Sequence, residues 1–165
     1  MYVAFKELPS NARIWVYTAG RILTEQESQL ISEKLVLFVQ TWQSHQKDMK
    51  ASFLIAENRF LVIAADESYN DISGCGIDKS FHVVQELENE LGISLVDKLL
   101  VIFEREGKQL EVAFNKIKEA VSQGILDPET LFFNTLVANV AEFQSQFKVK
   151  SSEGWVRKYF SLYLN

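Results

Sequence analysis

A chain of 165 residues that is 47% hydrophobic, with 12 Phe and 24% charged residues, carries enough material for a packed core, and this excludes a disordered chain. Its formal charge is −5, and Lys and Arg never form a block, which excludes the clustered cations that nucleic acid or a basic membrane-surface helix requires. The single cysteine, Cys75, excludes an intrachain disulfide; with an opening segment lacking the basic and apolar parts of a signal peptide, it predicts a cytoplasmic protein.

In chain order, Ala12 to Thr18 reads as a strand, with Ile14 and Val16 on one side and Arg13, Trp15 and Tyr17 on the other. Ile14 and Val16 are expected to face the core. Trp15 and Tyr17 would then form a ligand or dimer surface, or be covered by the C-terminal segment. Thr24-Glu-Gln-Glu27 is a capping box, opening a helix whose apolar stripe is Ile31, Leu35, Phe38 and Trp42. The spacing carries that helix to about His45. Two strands follow, Lys50 to Ala56 and Arg59 to Ala65, around a tight Glu57-Asn58 turn. The second is apolar almost throughout, as a strand covered on both faces is. Its apolar run, Phe60 to Ala65, is far shorter than the ~20 residues that span a bilayer, so no membrane insertion is expected.

A polar stretch, Asp66 to Gly76, leads into a second helix with Ile77, Phe81, Val84, Glu88 and Leu91 on one side and Gly92 closing it. Leu99 to Glu104 and Gln109 to Phe114 make a further hairpin about Glu106-Gly107. Asn115 can cap a short helix ending at Gln123, closed by Gly124. Asp127-Pro128-Glu129 is a turn, and Thr130 to Val137 is strand-like. Phe143 and Phe147 are four apart, as are Trp155, Tyr159 and Tyr163, which suggests a terminal helix docked by an aromatic edge.

The order through Glu104 is β-α-β-β-α-β. The expected fold is therefore α+β, with a ferredoxin-like core over residues 1–106 and a strand-helix-strand extension over 107–165 packed on it.

Asn11-Ala-Arg-Ile-Trp-Val-Tyr17, Lys50-Ala-Ser-Phe53, Asn58-Arg-Phe60, Ser73-Gly-Cys-Gly-Ile-Asp78 and Pro128-Glu-Thr130 with Phe133-Asn134 together resemble a family of uncharacterised bacterial proteins often labelled "ABC transporter ATPase". The resemblance implies a shared fold and no established activity. The only Gly-Lys pair, Gly107-Lys108, is followed by Gln109 in a hairpin turn, so this chain has no P-loop to cradle phosphates. Gly107 to Phe133 also resembles the GYF-related modules of bacterial proteins, which implies a protein–protein or envelope-linked role; the Gly-Tyr-Phe tripeptide itself is missing.

One constellation can carry chemistry. Cys75 falls at the entrance of the second helix, where unpaired N–H groups favour a thiolate, and Gly74 and Gly76 beside Ser73 allow a ligand near the backbone. At ~100° per residue, Cys75, Asp78 and His82 share the sector opposite Ile77, Phe81 and Val84. That places a thiol beside a base, His82, and its orienting carboxylate, Asp78. The same residues also read as a solvated i,i+4 pair next to a small core cysteine. His45 can reach the loop after the third strand or serve as a helix C-terminal cation. Asp66, beside Glu67, closes a strand as an acid–base or merely solvated carboxylate. No metal set and no cofactor fingerprint is expected. The preferred expectation is a non-enzymatic binding or regulatory module, with a protein partner or a homodimer through the open sheet face. The alternative is a small thiol-dependent enzyme using Cys75.

Overall fold

The computed structural model describes the backbone of residues 1–163 and the side chains of residues 1–161. Helices and strands occur together in several small sheets, so the α+β class holds. The chain divides into two compact units. The first is Met1–Asp97 with Ala138–Ala141; the second is Lys98–Val137 with the described residues from Glu142 onward.

The first unit contains β1 (Arg13–Thr18), α1 (Glu25–Thr41), the short strands β2 (Gln43–Ser44) and β3 (Lys47–Asp48), β4 (Ala51–Ala56), β5 (Phe60–Ala65) and α2 (Gly74–Leu91). Its main sheet is antiparallel in the order β1-β5-β4. Glu57 and Asn58 both have positive φ, 56° and 53°, as a two-residue hairpin turn with the twist of its strands requires. Every residue of β5 is buried, as its unbroken apolar run predicts. Trp15 pairs with Ile63 and Tyr17 with Leu61, and these four pack with Leu35, Val39, Trp42, Val84 and Leu87 of the helical layer. Trp15 and Tyr17 therefore lie on the helix-covered face, which corrects their assignment to the non-core side. The face with Ile14, Val62 and Ala64 is buried as well. β5 is thus covered on both faces.

The Thr24 capping box forms as read: Thr24 Oγ1 accepts from Glu27 N at 3.1 Å, and Glu27 Oε1 accepts from Thr24 N at 3.0 Å. The helix ends earlier than its stripe suggests. α1 stops at Thr41, Trp42 is extended, and His45 and Gln46 (φ 53° and 63°) form the tip of the β2–β3 hairpin. Leaving the helix lets the Trp42 indole Nε1 donate to Gly76 O at 2.9 Å in the interior. His45 is consequently not on the α1 stripe.

α2 ends as read, with Gly92 left-handed at φ 65° and its N–H donating to Glu88 O. Its buried side, however, is Gly76, Ser80, Val83, Val84 and Leu87, rotated from the expected stripe; Phe81 is exposed. Two small residues let the helix approach closely. Glu88 is explained by its carboxylate, which accepts Leu95 N at 2.7 Å and Val96 N at 3.1 Å and so holds the loop after the helix.

The second unit contains β6 (Leu100–Arg105), β7 (Lys108–Ala113), α3 (Ile117–Ser122), β8 (Leu131–Phe133), α4 (Val140–Gln146, which begins within the segment assigned to the first unit) and β9 (Lys148–Lys150). Its sheet order is β7-β6-β8-β9. Glu106 and Gly107 turn the β6–β7 hairpin with φ 53° and 76°, and Gly124 closes the α3 region at φ 73°. The residues before α3, Phe114–Lys116, form a 3-10 turn, and Asn115 lies within it instead of capping a single helix. Asp127 Oδ1 accepts from Glu129 N and Thr130 N, fixing the turn around Pro128. The core gathers Phe103, Ile117, Leu126, Phe132, Val156 and Phe160. The terminal segment from Trp155 is a 3-10 helix broken at Phe160; it buries Val156 and Phe160, and Trp155 and Tyr159 of the expected edge pack, partly buried, against the same cluster. The third member of that expected edge, Tyr163, has its side chain outside those described.

The ferredoxin-like sheet is not completed. The order β1-β5-β4 does reproduce its split β-α-β half, with β5 inserted between β1 and β4. The fourth strand, β6, instead pairs with β7 and β8 in the other sheet. The outer edge of β1, where that strand would lie, is occupied by residues 138–141. Ile14 N donates to Ala138 O, and Val140 N donates to Ala12 O, both at 3.0 Å. These bonds satisfy the edge groups that a fourth strand would otherwise satisfy.

Candidate functional site

The segment Ser73 to Asp78 is built around contacts with the rest of its own unit. Ser73 caps α2, its Oγ accepting from Gly76 N at 3.1 Å, while its own N–H donates to Ser44 Oγ at 2.8 Å. Asn70 Nδ2 donates to Ser44 O at 3.0 Å and Lys47 O at 3.2 Å. With the Trp42–Gly76 bond, these contacts latch the start of α2 onto the β2–β3 hairpin. Gly76 is needed for space: a Cβ there would stand 3.0 Å from Ile72 Cγ1 and 3.6 Å from Ser44 Cβ. The close approach expected for a ligand is taken by the protein itself. Gly74 faces open space.

Cys75, Asp78 and His82 are all exposed. The Asp78 and His82 side chains make no hydrogen bond or ion pair with any described residue. Helical rise separates Cys75 from His82 by roughly 10 Å along the axis, beyond direct proton transfer. Asp66 is buried, and its Oδ1 accepts from Ser68 N at 3.0 Å and from Ser68 Oγ, making it a turn former. His45, at the hairpin tip, is exposed. Among the described residues, no three His, Cys, Asp or Glu side chains group to hold a metal ion.

A different place has the form of a binding site, and it lies wholly in the second unit. The strand expected over Thr130 to Val137 pairs for three residues only, β8. Its ladder with β6 joins Phe103 to Phe132 and Glu104 to Leu131. Beyond Phe133 the chain turns away, Asn134 N donating to Phe147 O and Asn134 Oδ1 accepting from Leu136 N. The splay opens a cavity of about 240 Å³ lined by Leu100, Ile102, Phe114, Phe133, Leu136 and Trp155. Lys98 and Lys158 complete its wall. Leu136 is 71% exposed, and the neighbouring Leu99 66%. A second, more open cavity shares Trp155 and Lys158 and adds Glu153, Arg157 and Ser161.

Trp155 is fixed from within. Its ring meets Phe132 edge-on at 5.4 Å and Phe114 at 6.0 Å, and its indole N–H is buried with no acceptor. Gly154 precedes it because a Cβ there would fall 2.5 Å from Phe132 Cδ1. Arg105, Lys148 and Lys150 of this unit each face a carboxylate, from Asp127, Glu104 and Glu129. Lys98, Arg157 and Lys158 face none among the described residues. Sequence reasoning missed this group, because the splay of two chain segments leaves no local pattern; Gly154-Trp155 was its one available signal.

Comparison with known proteins finds no matching family model, no matching curated protein and no matching solved structure. Among the described residues, no helix is long and apolar enough to cross a membrane.

Proposed function

We propose that this chain is a non-enzymatic cytoplasmic binding module whose ligand is a segment of another protein, held in the cleft between β6 and the chain beyond β8. The observation that carries this reading is the cleft itself: an apolar cavity with exposed leucines beside it, where the ladder between β6 and β8 ends. A volume of about 240 Å³ lies below the ~300–1,000 Å³ of sites for drug-sized ligands and cofactors, and suits a side chain or two. Exposed apolar groups gathered in one place are a feature of interaction sites. The GYF-related likeness of Gly107 to Phe133, with the protein–protein role it implies, supports the same reading.

The test is an unbiased peptide-display selection against the intact chain and against Leu136→Asp, a change at an exposed position that leaves the core alone. Peptides enriched by the native chain and not by the variant would support the reading. Equal enrichment on both would remove it.

A further inference from the structure

Peptide recognition can be specified further, on the reading just given, by asking what the cleft leaves unsatisfied. The β6–β7 ladder supplies the first part. Phe114 N donates to Leu99 O at 2.7 Å, and Leu100 stands opposite Ala113. Bonding and non-bonding pairs alternate along an antiparallel ladder, so the N–H and C=O of Leu100 and Ile102 are turned away from β7. They face β8, where the pairing of Phe132 with Phe103 brings the Ile102 C=O to the Phe133 N–H; the ladder ends there, with Leu100 beyond it. An interrupted ladder of this kind is an edge on which another extended chain can add.

Charge supplies the second part. The chain as a whole is at −5, yet the two adjoining cavities are lined by Lys98, Arg157 and Lys158 and by a single carboxylate, Glu153. Three cations with no ion-pair partner among the described residues border an apolar slot on an otherwise acidic protein. A ligand of like acidity is repelled by most of the surface and attracted here, and this charge pattern selects orientation and partner.

We infer that the occupant is an extended acidic segment of a partner protein. It adds as a short strand beside Leu100, seats one apolar side chain between Leu136 and Trp155, and places flanking carboxylates against Lys98 and Lys158.

The probe is a fluorescent peptide of sequence Glu-Glu-Val-Leu-Val-Glu-Glu, titrated by anisotropy into the intact chain. Controls are a Gln-for-Glu version and a version with N-methylated backbone at alternate residues. Saturable binding by the acidic peptide is expected, weakened about tenfold in Lys98→Glu/Lys158→Glu, retained in the double Lys→Arg variant and falling with salt. N-methylation should abolish it, since strand addition runs through main-chain bonds. Both lysines are exposed and form no ion pair among the described residues, Lys158 lying over the Tyr159 ring at 5.3 Å, and circular dichroism verifies that the substitutions leave the fold intact.

Equal binding of acidic and Gln peptides, both lost in Leu136→Asp, would overturn the acidic occupant and leave the binding reading standing. Acid-dependent binding indifferent to Leu136→Asp or to N-methylation would overturn the site or the strand mode. Self-association by light scattering that the peptide cannot displace would make a second copy of this chain the occupant. No binding here and no enrichment in the display selection would remove both readings together.

Discussion

In the first unit the most site-like segment, Ser73 to Asp78, is closed on its own neighbours. In the second, a strand that pairs well along half its length is left open along the rest. Ser73 N donates to Ser44 Oγ, Asn70 Nδ2 to Ser44 O and Trp42 Nε1 to Gly76 O, and β5 is buried on both faces. Around β6, by contrast, Leu99 and Leu136 are exposed and three cations have no counter-charge among the described residues. The difference shows how polar residues near a helix start, which invite a catalytic reading, serve assembly when their hydrogen bonds already have partners. Ordinary residues such as Lys98 and Leu136 become the notable ones when a charge has no counter-charge among the described residues or an apolar side chain stays 71% exposed.

The largest effect expected from breaking this contrast is at Trp42, which is 1% exposed and carries both core packing and the indole bond to Gly76 O. Trp42→Ala should cost about 3–5 kcal/mol, measured by urea unfolding. Hydrogen exchange should show lost protection at the start of α2 ahead of β6 and β7. Equal loss in both units would mean that they unfold as one.

Next comes Gly154→Ala in the second unit. Its φ of −98° suits any residue, so backbone strain plays no part and only the added methyl counts. With Phe132 fully buried, the ring has little room to yield to a Cβ at 2.5 Å, and a loss of about 1–3 kcal/mol follows. Because Trp155 rests on the same ring, peptide binding in the cleft should weaken along with stability.

A smaller effect is expected at the first turn of α1. The Glu27 carboxyl is lowered to about 2, chiefly by the Arg21 guanidinium and then by the Thr24 N–H. A depressed carboxyl stabilises the fold above its unfolded value, near 4.3, and that contribution is lost as pH falls through about 2. Thr24→Ala should cost about 1 kcal/mol at neutral pH. Glu27→Gln should flatten the acid limb of the stability profile between those values; an unchanged profile would show that the bond does not persist in solution.

Local chemistry made much of the fold readable. The capping box at Thr24, the turns at Glu57-Asn58 and Glu106-Gly107, and the left-handed Gly92 depend on a few adjacent residues, and each appears where its residues stand. What depends on distant partners was not readable. β6 has the same alternation whether it joins β1 or β8, and residues 138–141 show no sign that they will satisfy the edge of β1. The end of α1 was hidden because His45 and Gln46 take positive φ without the Gly or Asn that usually marks it. The cleft was invisible for a related reason: Thr135 and Val137 are strand-forming residue types, yet with Leu136 between them they leave the ladder.

The smallest effect is expected at Cys75, and its smallness is informative. The thiol is exposed, and the side chains of Asp78 and His82 bond to nothing described. Its neighbours Ser73 and Gly76 hold α2 through atoms that a change at Cys75 does not touch. Cys75→Ser should therefore move stability by less than about 0.5 kcal/mol and leave peptide binding unchanged. Alkylation with iodoacetamide across pH, in the native chain and in His82→Ala, gives the decisive comparison. A rate whose pH profile is the same in both keeps the second unit as the functional one. A rate that falls in His82→Ala, with its profile displaced, would return the site to α2.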